Sequence, residues 1–304
     1  FSLKKYIKMI QYLKKQILIN NYDLVICIDS PDFNYNLVKS LRKSKFSKKI
    51  IHIVAPTVWA WRKKRAKKFA KIYNEIFLLF EFEKKFFQYP KFNTTFIGHP
   101  IFHIKKRLEK KEYKYISFLF GSRENEIKKL FVYFSFIEEY ISENNLNYKI
   151  FIPTLPHLVG IIQNKTANWK TNTIISSDIE KFDSFYEEVF ISVTCSGTAS
   201  LEIAKRNIPQ IIIYKLNFFT ELILKSFVRV RNASLLNIIS KKIIIPEVIN
   251  SDLTTKNLII EFKKLVDDSS YRNKQIDEVN KCLKYFESDS SPFDLSVKRI
   301  LSII

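Results

Sequence analysis

Short apolar runs alternate with longer amphipathic segments along this chain, and the alternation predicts repeated β/α units with parallel strands. In the first third the apolar runs predict strands at 24–28, 50–54, 75–80 and 95–97. The 3.6-residue spacing of apolar positions predicts helices at 4–20 and 34–44, one ending near 72, and a short one at 82–89. One face of the first helix is expected to carry Ile7, Ile10, Leu13 and Ile17.

The same alternation resumes after a strongly charged stretch at 103–114, which we interpret as an interdomain linker. Strands are predicted there at 115–120, 148–152, 188–193 and 210–214, and helices at 122–142, 199–205 and 217–229, with 254–304 mostly helical. Two α/β domains are therefore expected.

Composition agrees with a globular protein, because 46% of the 304 residues are hydrophobic and 27% are charged. The net charge of +21 favours anionic partners. Abundant Lys, Ile, Asn and Phe with only four Gly also indicate genome-wide compositional drift, which would add lysines without regard to function. Three widely separated cysteines indicate a reducing compartment. No apolar run reaches the roughly 20 residues of a membrane-spanning helix.

A segment that is both aromatic and cationic begins at Pro56, with Trp59 and Trp61 preceding Arg62, Lys63 and Arg65. Six of the seven residues at 62–68 are basic. A partner that is apolar at one end and anionic at the other, such as a phosphorylated lipid, fits this pattern. The alternative is a tryptophan pair in the core beside a solvated helix face.

Two glycine-containing loops each follow a predicted strand and open a helix. In Gly121-Ser122-Arg123, backbone N–H groups and the helix dipole favour an anion, and Arg123 can contact a phosphate in a bidentate manner. The alternative is a plain N-cap at Ser122 with Glu126 completing a capping box.

The second loop, Ser196-Gly197-Thr198, is shaped to receive a pyrophosphate, and Glu202 lies about one helical turn further on, within reach of ribose hydroxyls. Two such loops in one domain predict a nucleotide diphosphate. The chain has neither a P-loop nor a G-x-G-x-x-G fingerprint, and no cluster of metal ligands is apparent.

Two carboxylates, Asp29 and Asp32, follow the strand at 24–28, and ligands of open α/β sheets bind at that edge. Either could be a general base, and an ordinary N-cap before the helix at 34–44 is the alternative. His99, between Gly98 and Pro100, either contacts substrate or sits in a turn.

The order of these motifs resembles the lipid-A-disaccharide synthase family over nearly the whole chain. The motifs are Ile28 to Asn34, Pro56 to Arg62, Gly98 to Pro100, Gly121 to Arg123 with Glu126 and Ile127, and Ser196 to Ala199 with Leu201 and Glu202. Weaker echoes are Ser234 to Asn237 and Pro246 to Asn250.

The resemblance implies an inverting glycosyltransferase of GT-B type, with two Rossmann-like domains facing across a cleft. It implies transfer from UDP-2,3-diacylglucosamine to 2,3-diacylglucosamine 1-phosphate (lipid X), releasing UDP, at the cytoplasmic face of the inner membrane. Neither a cofactor, a metal nor a nucleic-acid partner is expected. An anionic membrane surface is an expected partner, and a homodimer is left open.

The resemblance also assigns regions and roles. It implies an acceptor domain at 1–108, a UDP-donor domain at 109–275, and a helical segment at 276–304 that packs back on the first domain. Asp32, ranked above Asp29, is the expected base. The expected donor-binding residues are Gly121, Ser122, Arg123, Ser196, Gly197, Thr198, Glu202, Asn237 and Glu247. The expected acceptor or membrane residues are Trp59, Trp61, Arg62, Lys63, Arg65 and His99.

Three departures from the family pattern qualify these expectations. The family's Gly-Glu-x-Ser-Gly-Asp loop has no counterpart here, which predicts a fragment or an incomplete N-terminal sheet. Phe120 replaces a Pro, and Asn250 stands where Gln is usual. Alternatives are another UDP-sugar GT-B enzyme, including an epimerase, an inactive membrane-surface homologue, and a basic nucleic-acid-binding protein, which the scattered basic residues disfavour.

Overall fold

The computed structural model describes residues 3–59, 62–108, 112–195, 197–215, 232–286, 288 and 290–304. The chain divides into two compact α/β units. The first unit is Phe1–His103 together with Tyr285–Ile304, and the second unit is Ile104–Lys284. The predicted fold class, an α/β protein with parallel sheets, is confirmed.

The first unit is built on a four-stranded parallel sheet in the order β1-β2-β3-β4. Its strands are β1 (Leu24–Ile28), β2 (Lys49–Ile53), β3 (Glu75–Leu78) and β4 (Asn93–Phe96). Its helices are α1 (Leu3–Asn20), α2 (Pro31–Lys43) and α3 (Lys64–Ala70), with 3₁₀ turns at Glu81–Phe86 and Pro100–His103. Consecutive parallel strands joined by helices place all four carboxyl ends at one edge.

The core of the first unit lies between this sheet and its helices. Leu41, Ile50, Phe69 and Ile76 are fully or almost fully buried. From α1, Ile10, Leu13 and Ile17 pack against this core as the helical spacing predicts, whereas Ile7 is 46% exposed.

A helix from the end of the chain completes the first unit. This helix, α11 (Pro292–Leu301), joins the sheet through Arg299, whose Nε and Nη2 each donate to a Glu75 carboxylate oxygen at 2.8 Å. Ile303 is buried against Ile51 and Phe77. The buried Glu75 carboxylate is thus matched by a bidentate guanidinium, which compensates for its loss of water.

The second unit has a six-stranded parallel sheet in the order β10-β9-β8-β5-β6-β7. Its strands are β5 (Tyr115–Leu119), β6 (Lys149–Pro153), β7 (Thr173–Ser176), β8 (Val189–Cys195), β9 (Gln210–Tyr214) and β10 (Glu247–Ile249). Its helices are α4 (Glu124–Glu143), α5 (Val159–Thr166), α6 (Ile179–Tyr186), α7 (Thr198–Lys205), α8 (Leu235–Ser240), α9 (Thr255–Asp267) and α10 (Ser269–Leu283).

An aromatic cluster fills the core beside β5. Phe120 packs on Phe134 with ring centroids 4.1 Å apart, and Trp169 meets Phe118 edge to face. Phe120 is 2% exposed, so the residue that departs from the family's Pro serves as a core side chain before the Gly121 turn.

The described part of the charged stretch at 103–114 is hydrogen-bonded to the second unit and is not a free linker. Arg107 donates to the backbone oxygens of Val189, Asn207 and Phe190. Residues 104–108 therefore belong with the second unit. Likewise 276–284 continues α10 of the second unit, and only residues from Tyr285 onward join the first.

Several predicted elements need correction. Helix α2 begins at Pro31, three residues earlier than expected, because proline suits the first helical turn. The short edge strands β7 and β10 were not predicted, because neither contains a long apolar run. The predicted helix at 217–229 lies outside the described residues.

Candidate functional site

In the second unit, the two glycine loops predicted from sequence adjoin. They follow β5 and β8, which are neighbours in the sheet, with Leu119 opposite Thr194. Gly121 has φ +98°, and a Cβ there would lie 3.3 Å from Cys195 Sγ and against the Glu126 carboxylate. Glycine is required at this position both for its backbone angle and for space.

The Gly121 loop, residues 120–123, is organised by Glu126. Ser122 N donates to Glu126 Oε2 at 3.1 Å, and Arg123 Nη1 donates to Glu126 Oε1 at 2.9 Å. The N-cap of α4 is Arg123, in an extended conformation. The alternative in which Ser122 is the N-cap is therefore wrong, although Glu126 does satisfy a backbone N–H as a capping carboxylate would.

The Gly197 loop opens α7, with Gly197 as its N-cap at φ +148°. Among the described residues other than its chain neighbours, none comes within 4 Å of a Cβ built on Gly197, and both Gly197 and Thr198 are exposed. Ser200 Oγ donates to Gly197 O at 2.8 Å and holds the turn. Glu202 also reaches solvent, yet neighbouring atoms desolvate its carboxyl and raise its pKa, with Arg206 opposing that shift. Ser196 lies outside the described residues.

Asn237 and Glu247 form a hydrogen-bonded network at the start of α8. The Asn237 side-chain amide donates to Ile245 O and Glu247 Oε1, and its oxygen accepts from the backbone N–H groups of Ile244 and Ile245. Its four hydrogen bonds are all used within the protein. Glu247 accepts from Ala233 N at 2.6 Å and Ser234 N at 2.9 Å. Both side chains therefore brace this segment.

In the first unit, Asp29 and Asp32 lie at the carboxyl end of β1, on either side of a strained turn. Asp29 and Ser30 both have positive φ, +49° and +41°, and Asn34 Nδ2 donates to Asp29 O at 2.7 Å. Ser30 is the N-cap and Asp32 lies in the first turn of α2, so neither aspartate is the ordinary N-cap that was the alternative interpretation.

Asp32 pairs with Arg65 across the gap between α2 and α3. The two side chains border an open cavity of about 600 Å³, called the basic cavity below. Its lining among the described residues is Asp32, Tyr35, Arg62, Lys63, Lys64, Arg65, Lys68 and Phe69. Five cationic residues around one carboxylate make this cavity suited to an anionic group with a hydroxyl beside it.

Trp59 is held by the protein rather than projecting freely. Its Nε1 donates to Glu83 Oε1 at 3.1 Å, and its ring meets Phe82 edge to face. Glu83 is 2% exposed and also accepts from Phe80 N at 3.2 Å. Burial raises the pKa of Glu83 to about 7, against the lowering effect of these hydrogen bonds. Trp61 lies outside the described residues.

His99 is a buried turn residue. Its Nδ1 accepts from Ile101 N at 3.2 Å, and its ring stacks on Phe80. Burial lowers the pKa of His99 to about 4, so the ring is neutral at pH 7. These contacts favour the turn interpretation over contact with substrate.

Comparison with known proteins decides the family. Residues 1–299 match the family model LpxB, lipid-A-disaccharide synthetase. The lipid-A-disaccharide synthase of Rickettsia canadensis is 35% identical over 94% of this chain and 77% of its own length, and that of Rhodospirillum centenum is 28% identical over 98% and 77%. The chain belongs to the lipid-A-disaccharide synthase family.

Solved structures agree on the fold. The chain is similar to Staphylococcus aureus MnaA in complex with UDP, with TM-score 0.63, 14% identity, and coverage of 99% of this chain and 82% of that one. Acinetobacter baumannii MurG gives TM-score 0.56 at 13% identity, covering 96% and 78%. At such identities the likeness concerns the fold alone. The fold is of GT-B type.

As a member of the lipid-A-disaccharide synthase family, the chain is a glycosyltransferase of lipid A biosynthesis that uses a UDP-sugar donor and a lipid acceptor. In the part of the chain that the structure describes, no helix is both long and apolar enough to cross a membrane.

Sequence reasoning missed the partners of the expected site residues. Glu83 lies in no sequence motif and was not predicted as the partner of Trp59. Arg65 was predicted as an acceptor or membrane residue, but its pairing with Asp32 was not predicted. Tyr214, at the end of β9, was also missed: burial raises the pKa of its hydroxyl, Cys195 and Glu126 add to this, and Arg123 opposes it. Its position at a strand end beside β8 was the available signal.

Proposed function

We propose that the chain transfers 2,3-diacylglucosamine from UDP-2,3-diacylglucosamine to lipid X, with inversion at the anomeric carbon and release of UDP. The observation that carries the proposal is that the Gly121 and Gly197 loops adjoin at the ends of β5 and β8. Two helix N-termini whose first residues are exposed, together with Arg123, suit a diphosphate.

The proposed reaction is a single displacement. Asp32 takes the proton from the acceptor hydroxyl, and the freed oxygen electron pair attacks the anomeric carbon of the donor. The bond between that carbon and the diphosphate oxygen breaks, and its electron pair leaves with UDP. Arg123 and the backbone N–H groups of Gly197 and Thr198 stabilise the charge on the departing diphosphate.

Asp32 is favoured over Asp29 as the base because it lines the basic cavity. The 1-phosphate of lipid X would bind there, next to the carboxylate, with Arg62, Lys63 and Arg65 as its cationic partners. Thr198 and Glu202 are proposed to contact UDP directly. Asn237 and Glu247 are proposed to stabilise the donor-binding unit through their hydrogen bonds. Trp59 and His99 are proposed to stabilise the acceptor-binding unit by packing inside it, without contacting the acceptor.

The acyl chains of both substrates call for a membrane surface, and α1 has a composition suited to one. It carries five lysines and no acidic residue, and its exposed apolar side chains are Leu3, Ile7, Met9, Tyr12, Leu18 and Ile19. A cationic amphipathic helix of this kind lies in the interface of anionic lipid. We propose peripheral binding at the cytoplasmic face of the inner membrane.

The decisive assay compares acylated and non-acylated donors. With lipid X as acceptor, we expect UDP release from UDP-2,3-diacylglucosamine and essentially none from UDP-N-acetylglucosamine, with an inverted anomeric linkage in the product. Equal turnover of both donors, or epimerisation of the non-acylated one, would contradict the proposal. Sedimentation with phosphatidylglycerol vesicles tests the membrane surface, and light scattering tests the homodimer.

A further inference from the structure

Glu126 binds the Gly121 loop through both oxygens of its carboxylate. Its two oxygens accept from two different donors: Oε2 from Ser122 N and Oε1 from Arg123 Nη1. Its side chain is 16% exposed, whereas that of Arg123 is 76% exposed. The carboxylate is therefore the fixed member of the pair, and the guanidinium is the member that faces solvent.

The contact leaves most of the Arg123 guanidinium available. Arginine has five N–H donors in a rigid plane, and Glu126 engages Nη1. Fixing one arm of that plane restricts the side-chain rotamers and directs the remaining N–H groups. The arginine then loses less conformational entropy when it binds a phosphate.

We propose that Glu126 is a positioning residue for recognition of the donor diphosphate, acting by holding the Arg123 guanidinium and, through Ser122 N, the Gly121 loop in their binding orientation. This rests on the proposed function, because it takes the Gly121 loop as the diphosphate site. The proposal also explains why residue 121 is glycine. The loop must pass close to the Glu126 carboxylate, where a Cβ would not fit.

The test is the affinity for UDP of the Glu126→Gln variant of the full chain, measured by calorimetry. A glutamine offers one oxygen where two donors need acceptors, so it can satisfy only one of them. We expect the Kd for UDP to rise about tenfold, from the loss of one charge-assisted contact. The KM for lipid X should stay unchanged, because the acceptor site lies in the first unit.

The matched control is Glu124→Gln, which removes the same charge from the same helical turn. Glu124 pairs with Lys128 at 3.8 Å, and its side chain is 54% exposed. Effects through the helix dipole alone would appear equally in both variants. We expect no more than a twofold change in the control, and equal effects in the two variants would overturn the proposal.

A double-mutant cycle separates positioning from a general loss of structure. In an Arg123→Gln background, the Glu126→Gln change should have little further effect on UDP affinity. Additive effects would overturn the proposal, as would tighter UDP binding by Glu126→Gln, which would make the carboxylate a competitor of the phosphate. If Arg123→Gln alone left UDP affinity unchanged, the proposed function of the loop would fail instead.

Discussion

The two units present the same pair of charges in opposite arrangements. In the first unit, the arginine is the sheltered member, since the Arg65 side chain is 13% exposed and that of Asp32 is 71% exposed. In the second unit, the carboxylate is sheltered, since Glu126 is 16% exposed and Arg123 is 76% exposed. In each pair the sheltered group has few rotamers available, and the exposed group keeps the freedom to meet a ligand.

The difference matches the chemistry proposed for each unit. A base must present a carboxylate to a hydroxyl, so the first unit exposes the acid and fixes the cation. A diphosphate site must present a cation, so the second unit exposes the arginine and fixes the acid. An exposed ion pair contributes little to stability by itself. We therefore expect these pairs to affect activity and ligand affinity more than folding.

The largest expected effect tests the acid of the first unit. Asp32→Asn should lower kcat by about 10²- to 10⁴-fold, the range for loss of a general base, and leave UDP affinity unchanged. Steady-state UDP release and calorimetry measure the two quantities. Asp29→Asn is the control on the same turn. If both variants keep near-normal turnover, the carboxylate-base hypothesis is wrong.

The next effect concerns Glu83, the buried carboxylate of the first unit. Its pKa of about 7 in the folded protein exceeds its ordinary value of 4.5, so the folded state keeps a proton that the unfolded state releases. Stability is then lost as the pH rises from about 4.5 to about 7, by about 3 kcal/mol. Glu83→Gln should remove that part of the pH dependence.

Chemical denaturation at several pH values, followed by tryptophan fluorescence, measures this difference. The free energies of unfolding of the wild type and of Glu83→Gln should diverge between pH 4.5 and 7. The low pKa of His99 acts in a similar range with the opposite sign, but it is common to both proteins and cancels in their difference. Parallel curves would show that Glu83 ionises normally.

Arg123 tests the exposed cation of the second unit. Arg123→Gln should weaken UDP binding about tenfold to thirtyfold through loss of charge-assisted hydrogen bonds, with the KM for lipid X unchanged. Lys128→Gln, on the same helix, is the control because Lys128 pairs with Glu124. A rise in the acceptor KM instead would reverse the roles assigned to the two units.

The smallest effect comes from the rim of the basic cavity. Lys64→Gln or Lys68→Gln should raise the KM for lipid X about twofold to fivefold, and salt should reduce the difference, because exposed charges are screened. Lys67 is an exposed cation on the same helix that does not line the cavity, so Lys67→Gln is the matched control. Equal effects of all three would indicate a general surface charge rather than a site.

Much of the fold followed from local pattern. The run from Leu24 to Ile28 and that from Gln210 to Tyr214 were predicted with their observed bounds, because each is a continuous apolar run, although only β9 is buried along its length and β1 is half-exposed. The edge strands β7 and β10 were missed because they lack such a run. The loop glycines could be identified because glycine is scarce in this chain; a side chain would not fit at Gly121, and Gly197 has a positive φ that side chains disfavour.

The sequence by itself determined the residue types at each strand end: glycines, an arginine and small polar residues in the second unit, carboxylates and cations in the first. Only the tertiary structure decided the partners: Asp32 with Arg65, Trp59 with Glu83, and Glu75 with Arg299 at a separation of 224 residues. The spacing of apolar residues indicates which side of each segment faces the core. Which two side chains pair depends on strand order and helix placement, and these depend on the whole chain.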